Sequence, residues 1–131
     1  MSLLERIAAR RRERVGREGP ALGASLPPSR RAPAVPFLLG KGPALPRGDS
    51  PVRRHPGALI CEIKRRSPSR GDIAPGLDAV AQAGRYAAAG VRFLSVLTEE
   101  DHFGGSLRDL IAVKERFPDL AVLRNDFPVA K

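Results

Sequence analysis

The chain is poor in the residues that build disulfide frameworks, metal centres and membrane spans. Its 131 residues include one cysteine, Cys61, so an internal disulfide framework is excluded and no Cys/His cluster is offered to a structural metal. It has no run of about 18 apolar residues, as a spanning helix needs, and no apolar secretory core after its basic start. We therefore expect a cytoplasmic protein without a metal and without a membrane partner.

Internal repeats, heptads and the glycine-rich GxGxxG motif are also missing from the sequence. The length allows one modest domain, and a hydrophobic content of 42% is that of an ordinary globular protein. The usual sequence signal for a dinucleotide cofactor is therefore absent.

Acidic residues are scarce only in the first part of the chain. Of the net charge of +9, residues 1–57 contribute +8 (12 Lys/Arg against 4 Asp/Glu) and residues 58–131 contribute +1 (11 against 10). No aromatic residues are interleaved among the arginines, and no recognised nucleic-acid module is present. A basic N-terminal arm that binds nucleic acid is kept as an alternative function, although nucleic acid is not the expected partner.

Two segments precede the regular part of the chain. Residues 1–18 are predicted to form a basic helix with a capping box at its start, and the charged side of this helix is expected to be solvated. Residues 19–57 contain nine prolines and six glycines and show neither a helical nor a strand period, which predicts an extended connector. Residues 58–131 are expected to form the folded unit.

From residue 58 onward, apolar runs alternate with capped amphipathic segments. We predict strands near 58–63, 92–97 and 120–124 and helices near 77–89 and 106–117. The repeat of roughly thirty residues is the length of a βα unit, so the strands should be parallel. The predicted class is α/β, and periodicity alone does not decide between a barrel and an open doubly wound sheet.

The first predicted strand ends in a pair of opposite charges. Glu62 and Lys64 are two residues apart and therefore lie on one side of the strand. Pro68 and Gly71 follow in a stretch that cannot continue a strand, so the pair opens into a loop. A structural ion pair is the commoner meaning of such a pattern, and a catalytic pair is the alternative.

Three motifs in sequence order carry a resemblance to a known family. EIKRRSPSRG at 62–71 is similar to EIKxxSPSxG, SVLTEEDHFGGS at 95–106 to SVLTxxxxFxGS, and LRNDF at 123–127 to LxKDF. These patterns belong to the indole-3-glycerol phosphate synthases, (βα)8-barrel enzymes of tryptophan biosynthesis. The resemblance implies that residues 58–131 are the N-terminal three βα units of a TIM barrel. LLERIAARRRERV at 3–15 also resembles the family's N-terminal helix, which packs near the substrate site.

The resemblance implies a functional role for six residues. It implies that the catalytic residues are Glu62, Lys64 and Asn125, and that the substrate-binding residues are Ser67, Phe103 and Phe127. In the implied reaction an aminobenzoate ring carbon attacks a ketone on the attached phosphorylated five-carbon chain, and then carbon dioxide and water leave. That chemistry needs no redox cofactor or metal, and its substrate is a small phosphorylated anion.

Two departures from the family pattern affect these expectations. Asn125 stands where the family has the lysine that acts as general acid, and asparagine cannot deliver a proton, although its amide can donate a hydrogen bond. The chain also ends at Lys131, whereas such a barrel takes about 250 residues. We therefore expect the isolated chain to be inactive and, with an unpaired parallel edge, prone to association. The alternatives are a non-catalytic remnant and a subunit whose barrel is completed by a second polypeptide.

Overall fold

The computed structural model describes residues 1–22, 35 and 59–127. Most of the predicted connector at 19–57, and residue 58 at the predicted start of the first strand, lie outside the described residues. The described residues form one N-terminal helix and a second segment from 59 to 127.

Helix α1 spans Leu3–Glu18 and begins at a capping box. The Glu5 backbone N–H donates to Ser2 Oγ at 3.2 Å, and the Ser2 backbone N–H donates to Glu5 Oε2 at 2.6 Å. Both groups are backbone donors that a helix start otherwise leaves without partners, so this reciprocal pair explains where α1 begins.

Seven elements follow α1 along the chain. They are β1 (Ile60–Ile63), β2 (Arg66–Ser67), β3 (Gly71–Asp72), α2 (Ala79–Ala88), β4 (Phe93–Leu97), α3 (Leu107–Arg116) and β5 (Ala121–Asn125). Strands β1, β4 and β5 form a parallel sheet in that spatial order, which confirms the α/β class and the parallel pairing. The antiparallel β2–β3 pair lies inside the stretch predicted to be a loop.

One face of the parallel sheet is covered by α2 and α3. Side chains at Ile63, Leu94 and Val96 are at most 2% exposed, and they pack in one cluster with Ala83 of α2 and Val113 of α3. These strand residues alternate with residues of the opposite face, as the period of two requires. The apolar runs of the sequence are therefore the helix-covered face of the sheet.

The opposite face of the sheet is partly polar and has two uncovered apolar side chains. Ile60 is 42% exposed and Leu123 is 48% exposed. The strand register aligns Glu62 with Ser95 and Ser95 with Leu123, so all three lie on this face. The uncovered apolar positions are a physical reason for the expected association of the chain, which stays a prediction.

Gly105, in the loop after β4, approaches that strand too closely for any side chain. A Cβ at this position would lie 2.0 Å from the Leu97 carbonyl oxygen, a backbone atom. We expect Gly105→Ala to shift this loop and to lower the free energy of unfolding by about 1–3 kcal/mol. The measurement is the urea midpoint of the purified protein.

Gly84→Ala is the matched control for Gly105→Ala. Gly84 lies inside α2, and the nearest atom to an added Cβ is Phe117 Cζ at 3.5 Å, an ordinary contact. This change should raise stability by about 0.5–1 kcal/mol, because glycine inside a helix costs backbone entropy. Equal shifts of the urea midpoint for the two variants would show that the close approach of Gly105 has no energetic importance.

Candidate active site

The charged pair predicted at the end of the first strand forms a direct ion pair. Lys64 Nζ lies 2.8 Å from Glu62 Oε1, and the two side chains are 32% and 38% exposed. A pair that is this accessible remains open to a ligand. Its geometry therefore suits both the structural and the catalytic interpretation.

Asn125 joins this pair from the end of β5. Its side-chain Nδ2 donates to Glu62 Oε2 and to Ser95 Oγ, both at 3.3 Å. We call Glu62, Lys64, Ser95 and Asn125 the strand-end cluster. The sequence motifs assign no role to Ser95, because its position opposite Glu62 depends on the register of the strands.

A cavity of about 380 Å³ lies between α1 and the loop that follows β1. Its lining residues come from α1, the β1 loop and the loop after β4: Leu3, Leu4, Ile7, Lys64, Ser67, Pro68, Ser69, Arg70 and Phe103. Three residues implied by the resemblance, Lys64, Ser67 and Phe103, therefore line one cavity. Its wall combines apolar helix residues with two cations and two hydroxyls.

The strand-end cluster does not line one cavity as a whole. Lys64 lines the cavity under α1, and Glu62 and Lys64 line a second cavity of about 320 Å³ together with Tyr86. Asn125 lines neither of these two cavities. Glu62, Lys64 and Asn125 therefore contact one another through Glu62, but these two cavities do not unite them.

The two phenylalanines implied as pocket walls lie beside each other. The ring centroids of Phe103 and Phe127 are 6.0 Å apart with an interplanar angle of 30°. This distance is within the usual range of aromatic pairs, so the two rings offer a joint apolar surface next to the cavity that Phe103 lines.

Two arginines hold the loop that follows β1. Arg65 forms a two-point ion pair with Asp109 of α3, with Nη1–Oδ2 at 2.5 Å and Nη2–Oδ1 at 3.2 Å. Arg66 Nη2 donates to the Asp101 carbonyl oxygen at 2.6 Å. Because both arginines follow Lys64 directly, these contacts fix the backbone on which Lys64 and Ser67 are carried. Neither pairing is predicted by a local pattern in the sequence.

Helix α1 is attached to the strand ends by a buried ion pair. The Arg11 and Asp126 side chains are 2% and 6% exposed, and Arg11 Nη2 donates to Asp126 Oδ2. Thr98 Oγ1 donates to the same carboxylate oxygen at 2.6 Å, and Arg124 Nη2 does so at 3.1 Å. The expectation of a solvated charged face on this helix is therefore wrong at Arg11, because the guanidinium docks on a carboxylate at the end of β5.

The environment of Asp126 favours its ionised form. Burial by itself raises the pKa of this carboxyl, but the hydrogen bonds from Thr98 and the Phe127 backbone, with the attraction of Arg11, outweigh burial. The net result is a pKa below the ordinary value of an aspartate. Asp126 therefore stays charged at neutral pH and keeps the pairing with α1.

Residues 1–22 and 59–127 contain no cluster of three or more His, Cys, Asp or Glu side chains that could hold a metal ion. Among the helices within these ranges, none has the length and apolar character that crossing a membrane requires.

The fold and the strand-end cluster define an α/β protein whose polar side chains gather at the C-terminal ends of parallel strands, where such sheets hold their ligands. The sequence model of the indole-3-glycerol phosphate synthase family matches residues 49–131, and the chain belongs to this family.

Individual relatives agree with this assignment. A protein named indole-3-glycerol phosphate synthase from Streptomyces griseus is 45% identical over 89 residues, which cover 68% of this chain and 33% of the relative. Proteins of the same name from Opitutus terrae and Exiguobacterium sibiricum are 51% and 50% identical, over 60% and 55% of this chain and 32% and 28% of the relatives. The chain thus spans about a third of the length of the curated relatives it matches.

Proposed function

We propose that this chain supplies the first three strands of a (βα)8 barrel that closes the indole ring in tryptophan biosynthesis. The observation that carries the proposal is the strand-end cluster, in which Glu62 is bonded to both Lys64 and Asn125. The substrate is a carboxyphenylamino-deoxyribulose phosphate, and the reaction releases carbon dioxide and water. No cofactor or metal takes part, and the cytoplasm is the proposed location.

Lys64 is the proposed cation at the reacting oxygen. Attack of the aminobenzoate ring on the ketone builds negative charge on the carbonyl oxygen, and an ammonium group stabilises that charge. Glu62, whose Oε1 lies 2.8 Å from Lys64 Nζ, is placed to relay a proton when water leaves.

The surroundings of Lys64 suit an aromatic anion. Ser67 and Arg70 line the same cavity as Lys64, so that cavity offers a hydroxyl and two cations to a carboxylate or phosphate. Phe103 and Phe127, with centroids 6.0 Å apart, provide an apolar surface for the aminobenzoate ring. Ser67 is thus proposed to bind the substrate, and the two rings to enclose its aromatic part.

The remainder of the barrel is part of the proposal. Ile60 and Leu123 are the uncovered apolar side chains of the sheet face opposite the helices, as expected where further strands complete a barrel interior. Those strands belong either to the same gene product or to a second polypeptide. A non-catalytic remnant is the second candidate. It is favoured because Asn125 stands where the family has the lysine that acts as general acid.

The proposed function is tested by growth without tryptophan of a bacterial strain that lacks this ring-closing activity. We expect the intact gene product to support slow growth, and growth should be lost with Lys64→Met. The control is Arg92→Met, which removes a cation outside the cluster. Failure to grow both with the intact protein and with Asn125→Lys would contradict the proposed function.

A further inference from the structure

The orientation of the Asn125 side-chain amide is set by its partner. Nδ2 lies 3.3 Å from Glu62 Oε2, and an ionised carboxylate can only accept hydrogen bonds. The nitrogen, rather than the oxygen, of the amide must therefore point to Glu62. Exchanging the two ends of the amide would place oxygen against oxygen next to a negative charge, which is unfavourable.

The second hydrogen of this amide is also engaged. Nδ2 lies 3.3 Å from Ser95 Oγ, which belongs to a side chain that is buried within the sheet. An asparagine NH2 group has two hydrogens, and here each faces one protein acceptor. A ligand that arrives at Asn125 therefore finds no free donor on this side chain.

The oxygen of the amide remains for a ligand. Among residues 1–22 and 59–127, Oδ1 of Asn125 has no hydrogen-bond partner, and it is not among the enclosed polar atoms that lack one. The side chain is partly exposed at the C-terminal end of β5. The cluster thus presents a hydrogen-bond acceptor at this position.

We infer that Asn125 is a specificity-determining residue whose Oδ1 selects a ligand that carries a hydroxyl or N–H donor at this point over one that carries a carbonyl oxygen. The inference rests on the proposed function for the identity of the ligand. A ketone oxygen has no hydrogen to give, so it meets Oδ1 acceptor to acceptor. The corresponding alcohol can donate its hydroxyl hydrogen to Oδ1.

The test compares two ligands that differ only in this group. They are the carboxyphenylamino-deoxyribulose phosphate and the alcohol obtained from it by borohydride reduction, and the measurement is Kd by calorimetry with the intact gene product. We expect the alcohol to bind about 3- to 10-fold more tightly than the ketone, the worth of one hydrogen bond. The preference should disappear with Asn125→Leu, which keeps the size but has no polar atom, and should reverse with Asn125→Lys, which donates.

The amide can also be observed without any ligand. The sequence has one asparagine and one glutamine, Asn125 and Gln82, so its side-chain NH2 signals in an NMR spectrum form two pairs. We expect Ser95→Ala to speed solvent exchange of one Asn125 hydrogen, while the Gln82 pair does not change.

The outcomes separate this inference from the function on which it rests. One outcome is that both ligands bind while the unchanged protein and Asn125→Lys prefer the ketone to the same degree. In that case the inference is wrong, and the proposed function stands. If neither ligand binds to any of these proteins, both are wrong. Equal exchange of the Asn125 hydrogens with and without the Ser95 hydroxyl would contradict the engagement of the second amide hydrogen, and with it the inference.

Discussion

Replacing Asn125 with lysine should raise kcat for ring closure by the intact gene product by about 10²- to 10⁴-fold, the usual worth of a positioned general acid. The reason is chemical: the amide has no proton to transfer, and both of its hydrogens are held by Glu62 and Ser95. A lysine there would contact the same carboxylate and could protonate the oxygen that acquires charge. KM should change much less, because the gain arises mainly in the transition state.

Asn125→Met is the control for this prediction, since methionine has a comparable length to lysine but no proton to transfer. It should leave kcat at or below the level of the unchanged protein. If Asn125→Lys leaves kcat unchanged or lowers it, Asn125 is not an impaired acid. Lys64 or a residue outside this chain would then deliver the proton.

Breaking the Arg11–Asp126 pair should release α1 from the strand ends. Removing one partner of a buried ion pair leaves the other charge buried without compensation, which typically costs about 3–5 kcal/mol. Asp126→Asn should therefore lower the free energy of unfolding by this order, and Arg11→Met by somewhat less, because Thr98 and Arg124 still contact the Asp126 carboxylate. Hydrogen exchange of the α1 backbone should rise, because α1 then loses this attachment to the strand ends.

The same pair makes stability depend on pH in a definite direction. The pKa of Asp126 is lower in the folded protein than in the unfolded chain, where it is about 3.9. Its contribution is therefore complete above about pH 3.9 and is lost as the pH falls through the lower folded-state value. Urea unfolding should show this loss in the unchanged protein and not in Asp126→Asn.

The control for the Arg11–Asp126 pair is Glu13→Gln, which removes a partner of the exposed Arg10–Glu13 pair of the same helix. That change should alter stability by less than about 1 kcal/mol, as surface ion pairs usually do. The interpretation of α1 as a docked helix is wrong if Arg11→Met is as mild as Glu13→Gln. A rise in α1 exchange with Arg11→Met but not with Arg11→Lys would agree with it.

The strands and helices of this chain follow from local signals, whereas the attachment of α1 does not. Asp78 and Ser106 cap α2 and α3, in agreement with the capped segments that the sequence predicts, because capping depends on residues within one turn. Arg11 meets a carboxylate 115 residues further along the chain, and nothing in its neighbours indicates burial. A basic helix face is predicted to be solvated as long as the surface that covers it, here the end of β5, is unknown.

Part of the candidate site could also be predicted from the sequence, because that part depends on local patterns. Glu62 and Lys64 share a side of one strand by parity, and the motifs pointed to Ser67 and Phe103. Contact between Glu62 and Asn125 requires the register of three strands, which local patterns do not provide. The engagement of Ser95 with the amide follows from that register as well.

Formation of indole-3-glycerol phosphate in vitro by the intact gene product, followed by absorbance, measures the proposed activity most directly. We expect slow formation that is stoichiometric with release of carbon dioxide, strongly reduced by Lys64→Met and increased by Asn125→Lys. Absence of product from both the unchanged protein and Asn125→Lys, or equal rates with and without Lys64, would contradict it.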